Sequence, residues 1–233
     1  MKTKTSLSIA GLALSATATA ATLTSGHVDF IGLAYDGTEF EPHSHVELFG
    51  VVDGQPIEDV EYAVGDLIIE ISATTTRNSG IVFDPIGVAA GEKFWLARQT
   101  ATSGEPYVGF GLEELVPADW AANITLTLTS AVMPADAVFA LWQGNVTPTF
   151  SMSTADGLSA ADAVSLAAGS HTHYNWGFTK EGTYDLTFAI AGAHSIDGAK
   201  SATATYTFSV IPEPSVALLA AIGALELLRR RRN

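Results

Sequence analysis

Six histidines stand in the chain, and four of them form two His-x-His pairs, His43/His45 and His171/His173. In a β-strand, residues i and i+2 point to one face, roughly 7 Å apart at their Cα atoms. Two imidazoles placed side by side can converge on one ion. Neutral imidazole is available at pH 7 and is a good ligand for zinc, copper, iron or nickel. The chain has no cysteine, so any metal site must be built from His, Asp and Glu. The expected ligands are His171 and His173 first, then His43 and His45, then His27. His27 and Asp29 are a further i, i+2 pair, and Asp29, Glu41 or Glu47 could complete a shell or orient a ring through its other N–H. Three protein ligands with an open position suit catalysis; four suit storage, sensing or structure. His194 stands alone in a Gly-bounded segment and reads as a loop residue.

Strands must position these residues, because helical periodicity is weak along the chain. The stretch 171–188 carries the second histidine pair, then Trp176, then alternating Tyr184, Leu186 and Phe188. Strand signals recur at 26–34, 46–52, 66–73, 92–98, 107–110, 123–130, 137–143, 183–189 and 202–210, separated by Gly, Asn, Asp and Pro turns. The clearest is 123–130, where Ile124, Leu126 and Leu128 alternate with threonines. One Ala-rich segment, 159–168, bounded by Gly157 and Gly169, reads as a short helix or an ordered loop. The fold class expected is all-β: a single antiparallel β-sandwich of the Ig-like or jelly-roll type over 22–210, with a closed barrel as the rival. Trp142 and Trp176 are expected in its core.

The two ends read as addresses. Lys2 and Lys4 precede an apolar, small-residue run from Leu7 to Ala18, and Ala18-Thr19-Ala20 fits a small-x-small cleavage rule. Residues 1–20 are therefore expected to be a secretory signal peptide. Residues 211–233 run from Pro212-Glu213-Pro214 through an apolar segment to Arg229, Arg230, Arg231 and Arg232. The apolar segment has about 13 residues, or about 20 Å of helix, short of a free-standing membrane span. With both ends set aside, 5 basic residues face 23 acidic ones. Such a field repels nucleic acid, which is excluded as a partner, and attracts cations.

The C-terminal order of Pro-Glu-Pro, short apolar helix and Arg cluster resembles the PEP-CTERM sorting signal. That resemblance implies export, retention at the inner membrane and processing by an exosortase; Glu226 within the apolar run departs from the pattern. The body resembles the choice-of-anchor M type of surface-anchored domain, also found in actinobacterial wall proteins. The resemblance rests on Gly26-His-Val-Asp29, Phe94-Trp-Leu-Ala-Arg-Gln99, Tyr107-Val-Gly-Phe-Gly-Leu-Glu-Glu114, Phe139-Ala-Leu-Trp-Gln143, Ser153-Thr-Ala-Asp-Gly157 and 171–188. Ala97 departs from it, standing where such domains tend to have Pro. It implies surface anchoring and, in some bacteria, a link to zinc or manganese uptake transporters.

The motifs of serine hydrolases, zinc proteases and phosphate loops are absent. The function expected is that of an exported surface protein in the cell envelope or matrix. It would bind a transition metal, zinc before copper or manganese, for capture or buffering. The alternatives are a structural or adhesive module contacting extracellular polysaccharide or protein, and a metal-dependent extracellular enzyme.

Overall fold

The computed structural model describes residues 19–213, and the apolar N-terminal run, the expected C-terminal helix, Pro214 and the four arginines lie outside the described residues. The first half of the chain forms β1 (Ala21–Tyr35), β2 (Phe40–Val46), β3 (Gly50–Val52), β4 (Gln55–Ile57), β5 (Val60–Ala63), β6 (Leu67–Ile71) and β7 (Thr74–Thr76). After a 3-10 turn at Ile81–Ile86 come β8 (Lys93–Ala97), β9 (Pro106–Gly111), β10 (Ile124–Val132), β11 (Phe139–Gln143) and β12 (Thr149–Ser153). The last strands are β13 (Ala163–Leu166), β14 (His171–His173), β15 (Asn175–Phe178), β16 (Gly182–His194) and β17 (Gly198–Val210). The expected all-β sandwich is what forms.

A five-stranded sheet runs β12-β11-β15-β8-β7, and a larger one runs β13-β10-β16-β17-β6-β1-β2-β5. The long strand β1 changes partners along its length. Its first residues pair with β3 and, in parallel, with β6; from Gly26 onward it pairs with β2 and, in parallel, with β9. Most other pairs are antiparallel, with β17–β6 also parallel. Strand β14 adds to the far side of β9, and its continuation β15 crosses into the smaller sheet.

Alternation explains which side chains go inside. Val28 and Phe30 of β1, Val108 and Phe110 of β9 and Phe208 of β17 are fully buried. Trp176 of β15 stacks on Phe110 with ring centroids 5.3 Å apart and meets Phe208 at 5.2 Å. Its indole N–H donates to the Val108 carbonyl at 3.3 Å. Trp142 and Trp176 both lie in the core, as expected. Inward Phe110 leaves Gly109 and Gly111 facing out, so the packed wedge around Trp176 sets the plane on which the outward residues stand.

The segment 159–168 holds a strand rather than a helix. The Asp162 carboxylate accepts from the Ser159 and Ser153 backbone N–H groups at 2.8 and 2.9 Å, which fixes a turn. Val164 and Leu166 then alternate inward while 163–166 pairs with β10. At the other end of the body, Trp95 donates to the Ile211 carbonyl at 2.8 Å, and the Glu213 carboxylate accepts from Thr74 and pairs with Lys93.

Trp176→Ala removes a fully buried indole from the junction of three packed strands. It is expected to lower the unfolding free energy by about 3–5 kcal/mol, read from urea denaturation followed by far-UV circular dichroism. A loss below about 1 kcal/mol would place the main core elsewhere.

Candidate metal centre

The outward face of β5, β2, β1, β9 and β14 carries five of the six histidines. Register aligns four of them in two rows, while His27 stands beside Tyr107 of β9. One runs Glu61, His45, Asp29, Gly109, His173; the next runs Ala63, His43, Gly32, Gly111, His171. Glycines occupy β9 in both rows, so side chains from β1 and β14 reach toward each other over a bare strand. A Cβ on Gly109 would lie 2.7 Å from Asp29 Oδ1 and 2.8 Å from His173 Cε1; one on Gly111 would lie 2.4 Å from Asp29 Oδ2.

Across that gap three imidazole nitrogens converge. His27 Nε2 lies 3.1 Å from His171 Nε2 and 3.0 Å from His173 Nε2, and the last two are 2.7 Å apart. Asp29 Oδ1 lies 3.2 Å from His171 Nε2 and 3.8 Å from His27 Nε2. A tetrahedral zinc with bonds of about 2.0–2.1 Å sets its ligand atoms about 3.3 Å apart. The nitrogens need move only a few tenths of an ångström to meet that geometry. His27, Asp29, His171 and His173 thus form a group that could hold a metal ion.

The outer nitrogens show which way the lone pairs face. His27 Nδ1 lies 2.7 Å from Glu47 Oε2, and His171 Nδ1 contacts Glu113 Oε1. With the ring hydrogen on the Nδ1 that faces the carboxylate, each Nε2 turns a lone pair inward. A proton on His173 Nε2 can satisfy one of these contacts, and the remaining lone pairs call for a cation. His173 Nδ1 has no hydrogen-bond partner; its ring is held instead by Tyr107, stacked at 3.5 Å with planes 7° apart.

Asp29 is 3 % exposed, and its Oδ1 has no hydrogen-bond partner. Burial, and after it the Glu113 and Glu47 carboxylates, pushes its carboxyl up to about 8. Burial likewise drives His173 down to about 3, helped by His171 and His27, and lowers His27 against the opposing pull of Glu47. Imidazoles that resist protonation keep their lone pairs for a metal, and a metal binding at Asp29 would displace the proton that burial holds there.

The structure brings His171, His173 and His27 together and adds Asp29, with Glu47 orienting a ring. It does not bring His43 and His45 to the same point. They stand on the same face, three strands from β14 or about 14 Å away. His43 Nε2 lies 2.9 Å from Glu114 Oε1, and His45 Nε2 lies 3.1 Å from Asp59 Oδ1. Glu41 touches His43 only through its backbone carbonyl. His194 ends β16 with Nδ1 3.0 Å from Asp197. Tyr107, Gly109 and Gly111 escape a reading based on ligand types, and Glu113, though of a ligand type, stands outside the His-x-His spacing. The alternation Tyr-x-Gly-x-Gly at 107–111 was the available signal of a strand with a bare outward face.

No family profile matches the chain, and no curated protein matches it. Among solved structures the N-terminal domain of PorA resembles it over 67% of this chain and 96% of that one, at 15% identity and a TM-score of 0.30. That likeness is too distant to carry an argument. Fold and site together define a β-sandwich domain with a three-histidine, one-aspartate cluster able to hold a metal ion.

Gly111→Val is expected to abolish metal uptake by displacing Asp29 while leaving the far-UV dichroism of the chain unchanged; uptake equal to the parent would show that the bare strand is dispensable. A second outcome follows from Asp29 in the chelator-treated chain. A carboxyl with a raised value stabilises the fold fully below its unfolded 3.8, and the contribution is lost as pH rises through about 8. His173 works in the opposite sense, its contribution being lost as pH falls from 6.5 through about 3. Asp29→Asn should therefore raise the melting temperature at about pH 9 well above the parent's and much less at about pH 5. An equal effect at both values would remove Asp29 as the cause.

Proposed function

We propose that this chain is a surface module that captures or buffers a transition metal, zinc in the first place, through His27, His171, His173 and Asp29. The observation that carries the reading is the convergence of three Nε2 atoms, two of them on rings whose Nδ1 atoms face carboxylates. Nitrogen and oxygen donors in a compact four-atom group favour zinc over the hard cations, which take oxygen shells of six or more. Copper and manganese are the competing ions. Asp29 as fourth ligand closes the shell, which favours holding a metal over activating a water.

The sequence patterns at the two ends support an exported domain, handled at the inner membrane by an exosortase and displayed in the cell envelope or matrix. The resemblance of the body to the choice-of-anchor M type supports a partner among metal-uptake transporters. An acidic body disfavours nucleic acid and draws cations toward the surface.

The test is the metal content of the purified chain after zinc loading and removal of free ion. The expected result is about one zinc per chain, lost in His171→Ala/His173→Ala, with a rise in melting temperature on loading that the double variant lacks. No retained metal after exposure to zinc, copper, manganese and iron would overturn the reading and leave a structural or adhesive module.

A further inference from the structure

The second histidine pair has a place in the fold that the metal centre does not use. Between it and the three imidazoles lies a trough of about 390 Å³. Its walls include His43, His45, Glu61 and Glu114, then Glu113 and Glu47; its floor is Gly32 and Gly111. Its inner end is Asp29, buried and with Oδ1 free of hydrogen bonds. Five carboxyl groups and two imidazoles line it, and among the described residues no Lys or Arg does.

We infer that this trough is a loading site for hydrated divalent cations, which binds them through their water shell and passes them to the three imidazoles. The inference rests on the metal reading above. Side-chain exposure falls along the path, from 50% at Glu114 and 43% at Glu113 to 29% at Glu47 and 4% at Asp29. A cation moving inward therefore exchanges water for carboxylate in steps. Six water molecules at about 30 Å³ each occupy about 180 Å³, so a hexahydrated ion fits before it sheds any. The bare floor matters for the same reason. A Cβ on Gly32 would lie 2.6 Å from His43 Nε2, and one on Gly111 would meet Asp29, closing the trough at both ends.

The other approach to the centre is chemically unlike this one. A hollow of about 480 Å³ reaches His27 from the opposite side, past Phe49, Ala101 and Tyr107. Its one carboxylate, Glu105, already pairs with Arg98 at 3.4 Å. That one acid is offset by the Arg98 charge, whereas clefts lined by one sign of charge concentrate counter-ions and speed their association.

Glu61→Gln/Glu114→Gln tests the inference, since neither residue touches the three converging imidazoles. Cobalt(II) is the probe, because its visible absorption reports arrival in a four-coordinate site during stopped-flow mixing with the full chain. A control pair, Asp156→Asn/Glu181→Gln, removes the same charge from exposed positions outside the trough. The trough variant should load at least about fivefold more slowly at about 20 mM salt, and within about twofold of the parent at about 0.5 M. Its dissociation rate should change by less than about twofold, and the control pair should load at the parent's rate. Parent-like loading by the trough variant, or equal slowing in the control, would overturn the loading site while leaving the metal centre intact. If no cobalt band develops even in the parent, the metal reading falls and takes this inference with it.

Discussion

The absence of side chains at Gly109 and Gly111 is the constraint on which the site depends. β9 lies between the two strands that supply ligands, and a Cβ at either of these two positions would collide with Asp29 or His173. Without that bare strip, β1 and β14 would present their polar residues about 10 Å apart with a ridge between them. With it, imidazoles from both strands meet above β9, and the aspartate fits beneath them. The inward residues of the same strand, Val108 and Phe110, are fully buried, so β9 cannot slip by one residue without exposing both. Core packing thus fixes the register that keeps the glycines under the cluster.

Electrostatics gives the cluster its chemical character. A carboxyl almost sealed from water, with two further carboxylates nearby, is costly to ionise. Two of the imidazoles, His27 and His173, are costly to protonate. The carboxyl holds its proton while these rings resist one, so a divalent ion entering here displaces the carboxyl proton and meets ring lone pairs ready to bind it. Glu47 and Glu113 lie against the Nδ1 atoms of two rings before any ion arrives, which lowers the ordering cost of binding. The same acids border the trough, so the groups that orient the ligands also shape the field outside them.

Much of the fold was legible in the sequence. Alternation at 123–130, 183–189 and 202–210 marks strands that the structure contains, and the pairing of His171 with His173 on one face follows from the two-residue period. Neighbour order was not legible, because a period tells which residues share a face and not which strand lies beside which. His43 and His45 therefore looked equivalent to His171 and His173, and only the interposition of β1 and β9 separates them. His27 looked weaker than it is, since a lone histidine gains its meaning from β9 placing it opposite β14. Glu113 lies just past a strand end, where no spacing rule applies. At 159–168 the composition left a short helix or an ordered loop open, but Asp162 turned the chain and an inward Val164 and Leu166 joined it to a sheet.

The central claim is that three imidazoles and one carboxylate bind a single ion above β9. X-ray absorption at the zinc edge of the zinc-loaded chain tests it most directly. The account predicts four nitrogen or oxygen neighbours at about 2.0–2.1 Å, with outer-shell scattering from three imidazole rings. A shell of six oxygens, or scattering from no more than one imidazole, would contradict it and place the zinc on surface carboxylates instead.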